Sequence, residues 1–442
     1  MNVPQAPNIL YLHSHDTGQF IAPYGHDVPT PALSKLAADG VLYRNAWCVS
    51  PTCSPSRAGL LTGQYPHECG QFGLGNRGFP LAHPERHLVH TLRKAGYFSA
   101  LLGVQHLVPD ERDLGYDFVR DALVGHTMDH RNEPIESPAV AESACAWLRE
   151  HGNMDRPWFL DAGMVQTHAL SWGSMTEAQR PTPDEIEHSF PPALIPPGAY
   201  AKEHWAHHRK SAAILDAGIG RILETLDNMG LTERTLVVYT TDHGLGVPRG
   251  KCTLNDAGLS VGMMLRGPGF DGGKVIDQHV SHLDLAPTFC ALAGIDPEPW
   301  YQGRSLLDPT TERLHFSEIN HHGHHQPERS VRDERWRLVR RWWSEDRPYL
   351  YNADPTPARR AWAELDPAPV AFETSNLPEL HDALYDCAID PYQTCNLVDD
   401  PRVAEVHDRL SNALDSWMHD TGDILPAAHA FNPDTHSCLG ST

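Results

Sequence analysis

The stretch Cys53-Ser54-Pro55-Ser56-Arg57-Ala58-Gly59-Leu60-Leu61-Thr62-Gly63 sets a thiol just ahead of a short helix and an arginine one turn further on. Unpaired amides at a helix start carry partial positive charge, so an anion or a thiolate is favoured there. An arginine at i+4 adds a planar fork matched to sulfate or phosphate. The residues themselves indicate an activated cysteine or an anion site. The plain alternative, a buried cysteine before a helix, requires none of the flanking Pro, Ser and Arg.

Outward from this stretch, short apolar runs alternate with helical patterns. Strands are predicted over 8–13, 98–102, 158–164, 236–241 and 261–266, each followed by a polar or glycine-containing loop. Thr30-Pro31 reads as a cap and first-turn proline of a helix that Gly40 ends. Ile214, Leu215, Ile219, Ile222, Leu223 and Leu226 recur at helical spacing before Gly230. The alternation predicts an α/β fold with a mostly parallel central sheet flanked by helices, over residues 1–310. Prolines crowd 171–200, which reads as an irregular excursion walling the active site. Aromatic and arginine-rich short strands over 331–343 and a helix over 403–419 predict a smaller C-terminal antiparallel-sheet subdomain, 311–442.

The chain has 442 residues, more than one core usually holds. Lys and Arg number 35 against 57 Asp and Glu, a formal charge of -22, which argues against nucleic acid and anionic membrane surfaces as partners. No apolar run approaches a membrane span, and no basic region leads into an apolar one at the N-terminus. Nine widely spaced cysteines without zinc-type pairs read as reduced thiols, and a cytoplasmic location is expected.

Two loops carry metal-ligand chemistry. His13-Ser14-His15-Asp16 ends the first predicted strand and Thr240-Thr241-Asp242-His243-Gly244 ends another. Ligands gather at the carboxyl edge of open α/β sheets. Either pair alone reads equally as solvated loop charge; two Asp-plus-His pairs at strand ends fit a divalent-cation site.

The string from Cys53 to Gly63 resembles the sulfatase signature, Cys-x-Pro-Ser-Arg followed by Leu-Thr-Gly. The segments 8–63 and 236–244, the run His282-Leu283-Asp284-Leu285-Ala286-Pro287-Thr288, and Leu384-Tyr385-Asp386 with Asp390-Pro391 extend the resemblance over nearly the whole chain. Asn320-His321-His322, Arg329-Ser330-Val331-Arg332 and Trp336-Arg337-Leu338-Val339 are similar to the C-terminal segment of sulfamidases, the heparan N-sulfatases. The resemblance implies an alkaline-phosphatase-like fold and oxidation of Cys53 to formylglycine by a formylglycine-generating enzyme. It implies a divalent metal held by Asp16, Asp242, His243, Cys53 and His15. Arg57 and Lys251 are implied to hold the formylglycine and the sulfate, His168 to protonate the leaving group, and His106 to orient or deprotonate the hydrated aldehyde. Glu318 and Arg332 are implied as substrate contacts.

This chain departs from the family pattern in three places. His15 stands where many relatives have Asp, His243 where many have Asn, and Val104 where a lysine belongs in the Gly-Lys-x-His segment. Imidazoles favour manganese, zinc or iron over calcium; with His15 outside the ligand set, calcium or magnesium remains. The run His321, His322, His324 and His325 reads as a solvent-facing loop or substrate wall, outside the metal site.

The expected activity is sulfate release from a sulfamate or sulfate ester, foremost an N-sulfoglucosamine-type small saccharide, with an aryl substrate as the general alternative. A phosphodiesterase or phosphonate monoester hydrolase of the same superfamily, and a binding protein without activity, are the competing classes. A homodimer is compatible with the sequence.

Overall fold

A computed structural model describes residues 6–123, 137–308, 312–323, 325–342, 354, 356–364 and 381–426. Its centre is an eight-stranded sheet made of β1 (Asn8–Ser14), β2 (Val41–Trp47), β3 (Phe98–Val104), β4 (Phe118–Leu123), β5 (Trp158–Gly163), β6 (Thr235–Thr241), β7 (Met263–Arg266) and β8 (Lys274–Ser281). The order is β4-β3-β5-β1-β6-β7-β2-β8. All neighbours pair in parallel except β7, which runs antiparallel to both β6 and β2. β1 lies at the middle, paired with β5 on one side and β6 on the other. Buried along its whole length, it is a near-continuous apolar run, as a parallel strand covered on both faces must be.

The side-chain alternation of β1 divides the core. Ile9 and Tyr11 face one layer with Ala58, Leu60, Leu285 and Phe289, while Leu10 and Leu12 face the other with Leu33, Leu36, Leu215, Ile219 and Ile222. The first layer comes from the helices α2 (Cys53–Thr62) and α5 (Leu285–Ala293), and the second from α1 (Pro31–Asp39), α3 (Ser137–His151) and α4 (Ala199–Asn228).

Local expectations are corrected in several places. The Thr30 hydroxyl does not cap α1. It accepts instead from the Ala22 amide, and Asp216 on α4 takes the first-turn amides of Ala32 and Leu33, each at 2.9 Å. A carboxylate from a neighbouring helix satisfies these orphan donors and favours the positive helix end. The long helix α4 starts at Ala199, fifteen residues before the apolar repeat begins at Ile214, because its first half packs Ala201 and Trp205 against Leu194, Ile195, Leu245 and Val247. The proline-rich segment before it is not wholly irregular: Thr182 starts a short helix, Pro183–Glu187, through a reciprocal capping box with Glu185.

The second sheet is antiparallel, in the order β12-β11-β10-β9, from β9 (His315–His321), β10 (His325–Arg332), β11 (Trp336–Arg341) and β12 (His381–Asp386). Leu410, Leu414 and Trp417 of α6 (Ala404–Asp420) cover it, packing on Val331, Leu338 and Leu384. Asp256 joins the two sheets by accepting from Arg332 and Arg337, whose guanidinium groups lie 4.9 and 5.3 Å from the Trp47 ring centre. The expected boundary at 310/311 lies outside the described residues, as does His324. His321 and His322 do not face solvent in a loop. Both are buried, and His321 closes β9 stacked against Phe79.

Candidate active site

The carboxyl ends of β1 and β6 lie side by side, with Ser14 opposite Thr241, so the two Asp-plus-His loops meet although 226 residues separate Asp16 from Asp242. The Asp16 amide donates to Asp242 Oδ1 at 2.9 Å and the His243 amide to the same oxygen at 2.9 Å, fixing that carboxylate from two sides. Asp16 adopts left-handed backbone angles (φ 59), the kind of strain retained at functional sites. Gly246 is obligatory beside it: a Cβ there would lie 2.6 Å from Asp16 Oδ2.

The first turn of α2 completes the cluster. Every residue of this helix is buried, Gly59 admits close contact with Val49, and Gly63 ends the helix in the left-handed region under the Tyr301 ring. Cys53 Sγ sits 3.4 Å from His243 Nε2 and 4.0 Å from His15 Nδ1. His243 Nε2 is 3.2 Å from Asp16 Oδ1, and His15 Nδ1 is 2.8 Å from Asp16 Oδ1 and 3.2 Å from Asp242 Oδ2. One ligand atom from each of His15, Asp16, Cys53, Asp242 and His243 falls within 4.8 Å of the others, all in buried side chains.

This donor set fits a divalent cation. His243 Nδ1 donates to the Gly244 carbonyl at 3.0 Å, which turns the Nε2 lone pair toward Cys53 and Asp16, the arrangement that metal-binding imidazoles adopt. Burial pushes the Cys53 thiol up, but Lys251, His15 and His243 together bring it well below its ordinary value. Burial likewise raises Asp16 and Asp242, and the cations around them reverse this, Lys251 foremost for Asp16 and His15 for Asp242. Burial discourages charge on His15, yet Asp242, Cys53 and Asp16 push it up to about 9. Three buried acidic groups thus demand positive charge, which a metal supplies while the imidazoles bind neutral.

A second donor set, Asp16, His168 and Asp354, adjoins the first. Lys251 Nζ occupies it, 3.0 Å from Asp16 Oδ2, 3.2 Å from His168 Nε2 and 3.2 Å from Asp354 Oδ2. The chain's own ammonium therefore takes the place a second ion would fill. His168 Nδ1 faces the Leu170 amide at 3.2 Å, and its Nε2 faces this cluster, 3.2 Å from the Lys251 ammonium. Burial depresses His168 to about 4.

Arg57 lies beneath Cys53 with both terminal nitrogens engaged: Nη2 holds Asp242 Oδ2 at 3.0 Å and Nη1 holds His13 Nδ1 at 2.6 Å. Ser56 donates to the Asp242 carbonyl, and His282 stands behind it. His106, also left-handed (φ 66), has its carbonyl held by Ser54 and its ring beside Cys53. Val104 is buried in β3 and brings no charge.

The residues expected to be catalytic or metal-binding therefore converge, and two more join them. Asp354 carried no local signal, since it follows a segment without pattern; His13 stood in the first metal-candidate string, but nothing local assigned it to Arg57. Glu318 and Arg332 do not reach this cluster. The Glu318 carboxylate is buried between His67 Nδ1 at 3.1 Å and Arg329 Nη2 at 3.4 Å, and Arg332 is spent on Asp256.

A mostly parallel α/β core with a cluster of carboxylates, imidazoles and a thiol at its carboxyl edge and a smaller antiparallel sheet make an alkaline-phosphatase-like fold. The sulfatase family model matches residues 7–295, and the chain belongs to that family of sulfate ester hydrolases. It is 28% identical to an ulvan-active sulfatase of Formosa agariphila over 98% of this chain and 78% of that protein. It is 27% identical to the N-sulphoglucosamine sulphohydrolase of Homo sapiens over 94% of this chain and 90% of that protein. Its fold matches the solved structure of BT4656 in complex with its substrate, D-glucosamine-2-N,6-O-disulfate, with a TM-score of 0.70 at 17% identity, covering 95% of this chain and 99% of that one. Among the described residues no helix is long and apolar enough to cross a membrane, and eight cysteines are free thiols.

Proposed function

We propose that this sulfatase releases sulfate from a small anionic saccharide carrying a sulfamate or sulfate ester, with N-sulfoglucosamine as the favoured substrate. The observation that carries the proposal is the buried convergence of Cys53, Asp16, Asp242 and His243 with Lys251 and His168 in one cluster. Similarity to the N-sulphoglucosamine sulphohydrolase over nearly the full length of both chains supports the choice of substrate.

Cys53 is the residue for conversion to formylglycine by a formylglycine-generating enzyme. Asp16, Asp242, His243, His15 and residue 53 would hold one divalent cation, and two imidazoles in the set favour manganese or zinc over calcium. Formylglycine, when hydrated, would supply a hydroxyl nucleophile, and a bound cation would lower that hydroxyl's pKa and polarise the sulfuryl oxygens. The chain's own side chains do the rest. Lys251 presents its ammonium to the sulfuryl oxygens, and Arg57 fixes Asp242 and adds positive charge beneath residue 53. His168 Nε2 faces the departing nitrogen or oxygen and protonates it as the imidazolium that a bound anionic substrate favours, and His106 orients the hydroxyls of residue 53.

Peptide mass spectrometry around Cys53, after co-expression with a formylglycine-generating enzyme, is expected to find the aldehyde; an unmodified thiol refutes the mechanism. Paired assays are expected to show sulfate release from N-sulfoglucosamine. Turnover of phosphodiesters alone would move the protein to that competing class, and turnover of aryl sulfates alone would remove the saccharide substrate. Elemental analysis is expected to find manganese or zinc, and calcium alone defeats the ligand argument.

A further inference from the structure

Under the active site runs a chain of buried side chains that the reaction itself does not call for. Arg57 Nη1 donates to His13 Nδ1 at 2.6 Å, His13 Nε2 lies 2.9 Å from Asp161 Oδ1, and the Tyr116 hydroxyl donates to Asp161 Oδ2 at 2.6 Å. An arginine only donates, so His13 Nδ1 accepts; the neutral ring then carries its proton on Nε2 and needs an acceptor there, which is Asp161. Parallel pairing sets His13 of β1 opposite Gly163 of β5, two residues beyond Asp161 on the same face. Gly163 leaves room for the ring, since a Cβ there would lie 2.4 Å from His13 Cε1, and Tyr11 stacks on the ring at 4.7 Å. His13, Asp161 and Arg57 are each 3% exposed or less. A central strand would ordinarily put an apolar residue at this position, because buried polar groups cost stability unless fully satisfied.

We infer that His13 is a positioning residue for the reaction at residue 53: with Asp161 and Tyr116 it fixes the guanidinium of Arg57, whose other end holds Asp242. A neutral imidazole suits this task better than a carboxylate. It gives Arg57 a directed acceptor while keeping the Asp161 charge one ring away, so the arginine's charge stays directed at Asp242 and residue 53. The inference uses the proposed function only for its activity readout.

The test compares His13→Leu, His13→Asn, Asp161→Leu and Asp161→Asn, each matched to the wild type for formylglycine content and melting temperature, in steady-state sulfate release. His13→Leu and Asp161→Leu are expected to lower kcat on the order of 10- to 100-fold with KM unchanged, the usual effect of removing a partner of a metal-site group. His13→Asn, which returns an acceptor near the Nδ1 position, and Asp161→Asn, which retains one for Nε2, are expected to recover most of that loss. Full activity in His13→Leu, or equal losses in the Leu and Asn variants, overturns the inference. A second measurement needs neither activity nor a variant: nitrogen-15 NMR of the wild-type imidazoles is expected to show His13 with its proton on Nε2, and an Nδ1–H form overturns the inference. If the wild type releases no sulfate, the proposed function fails while this measurement still decides the role of His13.

Discussion

In the proposed reaction His168 handles the proton and Lys251 the charge. In the proposed mechanism His168, whose Nε2 faces the Lys251 cluster, is the general acid, so His168→Ala removes the proton donor to the leaving group. Loss of such an acid lowers kcat by roughly 10²- to 10⁴-fold. The deficit is expected to be largest for sulfamates, whose amine leaves poorly without a proton, and smallest for nitrophenyl sulfate; a series of leaving groups assayed on one variant checks this. Lys251→Met takes away a preorganised cation and leaves Asp16 and Asp354 facing each other across His168. About 10²- to 10³-fold in kcat is expected from that loss, for good and poor leaving groups alike. The same assay series separates the two residues, and a leaving-group dependence in Lys251→Met contradicts the division of labour.

At the scale of elements, the carboxyl edge of the sheet acts as a frame and the end of α6 as a latch. Arg329 of β10 holds Asp423, just past α6, at 2.5 and 2.8 Å and reaches Glu318 of β9, which in turn holds His67. Burial raises the Glu318 carboxyl, but His67 and Arg329 bring it down to about 2. Because it binds its proton less readily folded than unfolded, near 4.3, its stabilisation is complete above about pH 4.3 and is lost as pH falls toward 2. His67 works with the opposite sign: burial lowers it and Glu318 raises it overall, so its share is present below about pH 6.5 and fades as pH rises through its elevated folded value. Glu318→Gln is therefore expected to cost about 3 kcal/mol near pH 6, with the gap to the wild type closing below pH 4. Urea denaturation of both proteins at pH 6, 4 and 3 checks this, and a gap independent of pH rules out the charged latch. Of the strands here β11 was legible because its arginine-aromatic composition is local, whereas β9 and most of β10 were not legible as strands. Nor was the latch, since Glu318 looks the same in a sequence whether it binds a sugar or an arginine.

Across the whole molecule, Asp256 couples the two sheets. Burial pushes its carboxyl up, and Arg337 and Arg332 hold it below its ordinary value. Asp256→Ala leaves both arginines short of their shared partner, and removing one side of such a buried network costs about 3–5 kcal/mol. Hydrogen exchange is expected to show β10 and β11 opening before β1 and β6 in this variant, and uniform opening contradicts a coupling role. What the amino-acid order determined by itself is local: the parallel α/β pattern, the Cys53-to-Gly63 helix start, and the Asp16 and Asp242-His243 loops at strand ends, all carried by periodicities and motifs within a dozen residues. Tertiary structure alone decided which of these face one another. The pairing of β1 between β5 and β6 brings His13 against Asp161, joins residues 226 positions apart into one donor set, and the C-terminal segment delivers Asp354 to Lys251. Such contacts depend on strand order and register, which arise from the packing of whole elements and leave no local trace in the residues that make them.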